Sequence, residues 1–115
     1  MEYLFKALSE VNRLRILSLL ARGEMCVCEI ECSLKLLQPT ASRHLNALKQ
    51  SGILEKNKNA QWTYYRVSER FMEENQQLWL YLKEGLPKMP SYRDDLAAYK
   101  ECKSKGNCCK TNTPH

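Results

Sequence analysis

The sequence has only short apolar stretches, such as Leu19-Leu20-Ala21, which excludes a helix that crosses a bilayer. Its start has no basic segment followed by an apolar run, so no secretory signal is visible and a reducing, cytoplasmic setting is expected. It has no internal repeat and no low-complexity segment, which leaves one ordinary domain for 115 residues. No anion-binding loop is evident around Cys102 or Cys108-Cys109, which argues against an enzyme that uses one of these tail cysteines as a nucleophile. What the chain does have is a concentration of positive charge. Its net charge is +5, and Lys35, Arg43, Lys49, Lys56, Lys58 and Arg66 are opposed between residues 35 and 67 only by Glu55. A basic block beside a nearly neutral remainder suggests a polyanionic partner. The six cysteines, in a reducing compartment, are expected to be free thiols or metal ligands rather than disulfides.

Periodicity predicts a mainly α fold with one β-hairpin. A short helix over 2–8 is followed by a helix over 10–22, capped by Ser9 and stopped by Gly23, with Val11, Leu14, Leu17 and Ala21 on its inner stripe. A third helix covers about 28–36. After a tight break at Leu36-Leu37-Gln38, Pro39 opens a fourth, which Gly52 ends. Ala41, Leu45 and Leu48 face its core side, whereas Pro39, Arg43, Asn46 and Gln50 face outward. Residues 53–56 and 61–67, joined by Asn57-Lys58-Asn59-Ala60, predict a hairpin. Ser68 caps a helix over 69–85, broken by Gly85, Pro87 and Pro90, and residues 91–101 allow one more short helix. The predicted organisation is a winged-helix DNA-binding and dimerisation unit over 1–90 and a cysteine-containing, partly helical tail over 91–115.

Two short helices, a tight break, a polar-faced helix and a basic hairpin make a winged helix-turn-helix pattern. Such a recognition helix packs one side on the core and offers short polar side chains to base edges. Gln38, Thr40, Ser42, Arg43 and His44 supply that surface, and Lys56 and Lys58 at the hairpin tip suit phosphates of an adjacent groove. Double-stranded operator DNA is therefore the expected partner. Leu4, Phe5, Phe71, Leu78, Trp79 and Leu82 exceed what one small core needs, which predicts a homodimer reading the half-sites of a palindrome.

The segments Met25-Cys26-Val27-Cys28-Glu29-Ile30 and Gln38-Pro39-Thr40-Ala41-Ser42-Arg43-His44-Leu45 carry a family likeness. With Arg13-Leu14-Arg15-Ile16-Leu17, Leu48, Gly52-Ile53-Leu54 and Tyr64-Tyr65-Arg66-Val67, they resemble the ArsR/SmtB metalloregulators, in particular the arsenic-responsive branch. The resemblance spans about residues 3–70. It implies a winged-helix dimer, not an enzyme, that represses an operon without a cofactor and leaves DNA when its inducer binds. Leu37 departs from the small capping residue usual in the family. Glu31 stands where the arsenic branch often has its third cysteine, and here the cysteine follows at Cys32. The family's alternative His/Asp zinc site is excluded, because residues 69–85 contain neither histidine nor aspartate.

Thiolates prefer soft acceptors, and As(III) bonds to three sulfurs, whereas Zn(II) wants four ligands. Cys26, Cys28 and Cys32 are the candidate ligands, with As(III) or Sb(III) as inducer ahead of Cd(II) and Pb(II). Cys28 and Cys32 share a helix face at i and i+4. Cys26 points away from them in a continuous helix, so a common site needs a non-helical turn at Cys26-Val27. Cys102, Cys108 and Cys109 form a second cluster that completes this site, makes another, or does neither. The alternative is a thiol redox sensor in which Cys28 and a partner oxidise to a disulfide. A metal store or chaperone would need neither the polar-faced helix nor the wing.

Overall fold

The computed structural model describes residues 1–105; Cys108 and Cys109 lie outside the described residues. Helices α1 (Glu2–Ala7) and α2 (Val11–Leu20) form where periodicity predicts, and α2 buries Ile16, Leu17, Leu19 and Leu20 almost completely. Val11 and Ala21, expected on its inner stripe, are exposed because they lie at its two ends, beyond the helices that cover its middle. Ser9 does not cap α2. It lies one residue before the cap position, and its hydroxyl turns back to donate to the Lys6 carbonyl at 2.7 Å. Strand β1 (Met25–Cys26) leads into α3 (Val27–Leu34). The chain reverses through Lys35, in a left-handed conformation at φ 55°, and enters α4 (Gln38–Gln50) with Pro39 in the first turn. Leu37, at the cap of α4, makes no side-chain cap bond. Past α4, Gly52 adopts φ 85°, a backbone region that glycine reaches without steric cost.

Strands β2 (Leu54–Asn59) and β3 (Trp62–Val67) form the hairpin, antiparallel from Leu54↔Val67 to Asn59↔Trp62. The turn is the pair Ala60-Gln61 rather than the predicted 57–60, so Lys56 and Lys58 are ladder residues opposite Tyr65 and Thr63. Strand β1, which periodicity could not show in two residues, pairs with the other edge of β3 and gives the order β1-β3-β2. The predicted 69–85 helix is two helices, α5 (Glu69–Glu74) and α6 (Gln76–Gly85). Ser68 caps α5 as predicted, accepting from the Phe71 N–H at 3.2 Å. Helix α5 ends at Asn75, whose backbone leaves the helical region at φ −133° and ψ 48° while its N–H and its side-chain amide both donate to the Phe71 carbonyl, at 2.9 Å and 3.2 Å.

A 3₁₀ turn (Leu86–Lys88) leads into α7 (Tyr92–Lys105), which is longer than the short helix expected and is packed against α3 and α2. Its anchor is Asp95, only 7% exposed. Arg15 grips that carboxylate with two N–H···O bonds of 2.9 Å and 2.8 Å and donates also to Asn12 and to the Leu34 carbonyl. One guanidinium thereby joins α2, the end of α3 and α7, and the bond to Asp95 raises the Arg15 pKa further above its ordinary value.

The residues expected at a dimer seam divide differently. Leu4, Phe71, Trp79 and Leu82 belong to the core of a single protomer, with Phe71 and Trp79 in an edge-to-face contact at 6.2 Å, and Leu78 packs partly buried against them. The helical phase that turns Trp79 and Leu82 inward turns Leu80 and Tyr81 outward. Of the expected set only Phe5 stands exposed, together with Tyr3, Leu80 and Tyr81.

Candidate nucleic-acid interface and thiol site

The polar face of α4 lies where the sequence predicts it, with one exception. Gln38, Ser42 and Arg43 are exposed and Thr40 is half-buried. His44, expected on that surface, is 1% exposed. It falls three residues after Ala41 and four before Leu48, on the buried stripe of the helix, and that spacing was the signal that could have placed it. The Arg13 Nε donates to His44 Nδ1 at 3.1 Å. The same arginine pairs with Glu10 at 3.1 Å. The Arg13–His44 bond ties α4 to α2. Sequence reasoning singled out the Arg13-Leu14-Arg15 run only as part of a likeness. In the structure Arg13 holds the recognition helix and Arg15 holds α7.

Burial first, then the neighbouring Arg43 and Arg13 charges, lower the His44 pKa below its ordinary value, with Glu10 opposing them. The folded protein therefore takes up this proton less readily than the unfolded chain. The stability that His44 supports is fully present above about pH 6.5, the ordinary histidine value, and is lost as pH falls below it. Thermal melts should show a lower Tm at pH 5.5 than at pH 7.5, and His44→Gln, which stays neutral, should reduce that difference. An identical Tm profile in the variant would rule out His44 as its source.

On the wing, Lys56 and Lys58 are exposed, and Arg66 pairs with Glu55 at 3.4 Å across the hairpin. Behind the wing the thiols converge. Cys26 has extended backbone angles, φ −70° and ψ 147°, as the cap of α3 and the end of β1, so the non-helical first turn that a common site requires is already in place. Its Sγ lies 2.6 Å from that of Cys28, and both residues are buried. Glu29 Oε1 accepts from the Cys26 N–H at 3.0 Å and holds this turn. The pair lines a cleft of about 450 Å³ that Gln38 and Ser42 of α4 and Lys56, Trp62 and Tyr65 of the wing also line. Burial raises the pKa of Glu31 in that cleft and of Tyr65 on its wall.

Cys32 is not brought to the pair. It forms a disulfide with Cys102 of α7, against the expectation that the cysteines stay free. A helix repeat carries Cys32 a full turn beyond Cys28, to where α7 packs. Among the described residues no group of three or more His, Cys, Asp or Glu is placed to hold a metal ion, so two of the three predicted thiol ligands are assembled. No helix among the described residues is long and apolar enough to cross a membrane.

A helix, a tight turn, a second helix with an exposed polar face, and a basic hairpin define a winged helix-turn-helix, the fold of a DNA-binding regulator. The chain belongs to the arsR family of bacterial regulatory proteins, whose model matches residues 10–56. It is 48% identical over 64 residues to the arsenic resistance transcriptional regulator ArsR1 of Pseudomonas putida, covering 55% of this chain and 50% of that protein. It is 50% identical over 72 residues to an uncharacterized HTH-type transcriptional regulator of Methanocaldococcus jannaschii, covering 61% of this chain and 81% of that protein. Among solved structures, the homodimeric winged helix-turn-helix DNA-binding domain Mb0332 of Mycobacterium bovis, a possible ArsR-family regulator, is similar with a TM-score of 0.63. That match has 32% identity over 73% of this chain and 78% of that one. The chain thus spans about half the length of the arsenic-resistance relative it matches.

Proposed function

We propose that this protein is a homodimeric, operator-binding repressor that releases DNA when a thiophilic metalloid binds its cysteine thiolates. As(III) and Sb(III) are the favoured inducers over Cd(II) and Pb(II). The observation that carries the reading is the cleft shared by the thiol pair Cys26/Cys28 with Gln38 and Ser42 of α4. The donor set fits a soft, thiol-seeking acceptor: two sulfurs converge, and no histidine lines the cleft. Cys26 and Cys28 would hold the ion, and Cys32 is the proposed third ligand. Because Cys26 ends β1 and caps α3, any movement of the pair displaces the segment that leads into α4. Gln38, Thr40, Ser42 and Arg43 read the major groove, and Lys56 and Lys58 take phosphates. Tyr3, Phe5, Leu80 and Tyr81, all more than half exposed, form the seam with the second copy. In the relative from Mycobacterium bovis the domain is homodimeric.

The decisive experiment is a titration of As(III), Sb(III), Cd(II), Pb(II) and Zn(II) into a complex with an operator selected from a random duplex library, with thiols kept reduced. Release by As(III) and Sb(III) at the lowest concentrations supports the reading, and release by none of the five sinks it. The two basic contacts should behave differently. Lys58→Ala should weaken binding to all duplexes and flatten the salt dependence by about one unit of slope. Arg43→Ala should cost roughly 1–3 kcal/mol on the selected operator and less on random DNA. Equal losses on both duplexes for Arg43→Ala would remove its base-reading role.

A further inference from the structure

Helix α7 meets the thiol-bearing helix α3 at two adjacent points. Cys102 is bonded to Cys32, and Lys103 pairs with Glu29 at 3.5 Å. Glu29 is also the residue that accepts from the Cys26 N–H. The end of α7 is thus one side chain away from the thiol turn. Cys32 lies on the exposed side of the disulfide and Cys102 on the buried side, whereas Cys26 and Cys28 are both buried and take no part in that bond. Among the described residues α3 thus carries one member of each of two sulfur pairs, Cys28 beside Cys26 at the cleft and Cys32 bonded to Cys102 of α7.

We propose that Cys32 and Cys102 are a thiol–disulfide gate on the metalloid site. Oxidised, the bond withholds Cys32 and fastens α7 to α3 across 70 residues of chain. Reduced, it frees Cys32 as the third thiolate, on the same α3 face as Cys28 and one turn away, and lets α3 shift independently of α7. The proposal rests on the metalloid-responsive reading above and adds a condition to it: the ion releases DNA only from the reduced protein.

The chemistry of the gate balances with ordinary thiol reagents. A dithiol reductant presents one thiolate to the exposed Cys32 sulfur. The S–S bond breaks, Cys102 leaves as a thiolate and takes a proton, and a mixed disulfide remains on Cys32. The reductant's second thiolate attacks its own bonded sulfur, closes the reductant's disulfide and expels the Cys32 thiolate. Two electrons have passed to the protein. In the reverse direction hydrogen peroxide accepts them. The Cys32 thiolate attacks a peroxide oxygen and gives a sulfenic acid with loss of hydroxide, and the Cys102 thiolate then displaces a second hydroxide to form the bond.

The test uses the full chain in two states. One sample is reduced with dithiothreitol and desalted without oxygen; the other is treated with one equivalent of hydrogen peroxide, and its pairing is mapped by peptide mass spectrometry. Arsenite is then titrated into each complex with a fluorescent operator duplex. The oxidised form, with the Cys32–Cys102 bond mapped, should need more than about tenfold more arsenite for half-release, and dithiothreitol should restore the response. Reduced Cys102→Ser should respond to arsenite like the reduced wild type, because it keeps the Cys32 thiolate and cannot close the bond. The comparison of the two wild-type forms requires no variant to fold. Equal arsenite sensitivity of the two forms would overturn the gate alone. Loss of response in reduced Cys102→Ser would overturn it too, because the third thiolate would then be Cys102. A reduced wild type that never releases DNA would overturn the metalloid reading and the gate together.

Discussion

Cys28→Ser should keep its operator and lose release by arsenite, with half-release shifted by about a hundredfold or more in concentration. Serine is nearly isosteric with cysteine, but its hydroxyl is a hard, poorly ionised donor that does not replace a thiolate on As(III). Cys26→Ser should give the same loss, and the structure makes it the cleaner variant. Cys26 occupies the cap of α3, a position where a serine hydroxyl accepts a backbone N–H well. The substitution should leave stability unchanged or raise it by up to about 1 kcal/mol. A protein that melts no lower, binds operator normally and ignores arsenite would separate sensing from folding. Wild-type arsenite sensitivity in either serine variant, followed by anisotropy of a labelled duplex, would refute the assignment of the pair.

The largest effect on stability should come from Asp95→Ala. Its carboxylate is the double acceptor for Arg15, whose side chain is 21% exposed against 9% for Asp95. Removing the acceptor leaves a mostly desolvated guanidinium with only Asn12 and the Leu34 carbonyl. An uncompensated charge at this depth costs roughly 2–3 kcal/mol, less than in a fully buried pair. For a domain of this size that corresponds to a Tm lower by roughly 10 °C. Arg15→Ala/Asp95→Ala should recover part of the loss, because neither charge is then stranded. A fall of less than about 0.5 kcal/mol for Asp95→Ala in denaturant unfolding would place the pair with ordinary surface salt bridges.

Much of this arrangement was legible in the residues. The stripe Ala41, Leu45 and Leu48 gave α4 its buried face, and Gly52 gave its end. Aromatic and β-branched residues flanking an Asn-rich stretch gave the hairpin, although an Asn-rich stretch does not fix which pair makes the turn. The outward side of α4 followed from the inward one, and His44 went astray because its residue type was weighed ahead of its phase. Strand β1 was invisible because two residues carry no period. Its existence depends on the edge that β3 offers, which is a tertiary fact. The division of 69–85 falls at Asn75, whose backbone leaves the helical region at φ −133° and ψ 48°, a local change that no apolar period marks. Sulfur pairing was least legible. The i and i+4 spacing of Cys28 and Cys32 gives a common helix face, but which partner meets Cys32 depends on where α7 lies. That position is set by Arg15 and Asp95, 80 residues apart in sequence.

The ladder step Cys26↔Tyr64 makes the wing a lever with its pivot at the thiols. Tyr64 stands near the middle of β3, and the four residues back to Ala60 span about 13 Å at the rise of a strand. A small tilt imposed at Cys26 is therefore swept into a larger arc at the far end of the hairpin, out past Lys58. The recognition helix needs a displacement of its own to lose a base, but a phosphate contact at the end of a long arm is broken by a slight rotation at its root. In such a molecule the grip on the backbone should slacken before the reading head has moved.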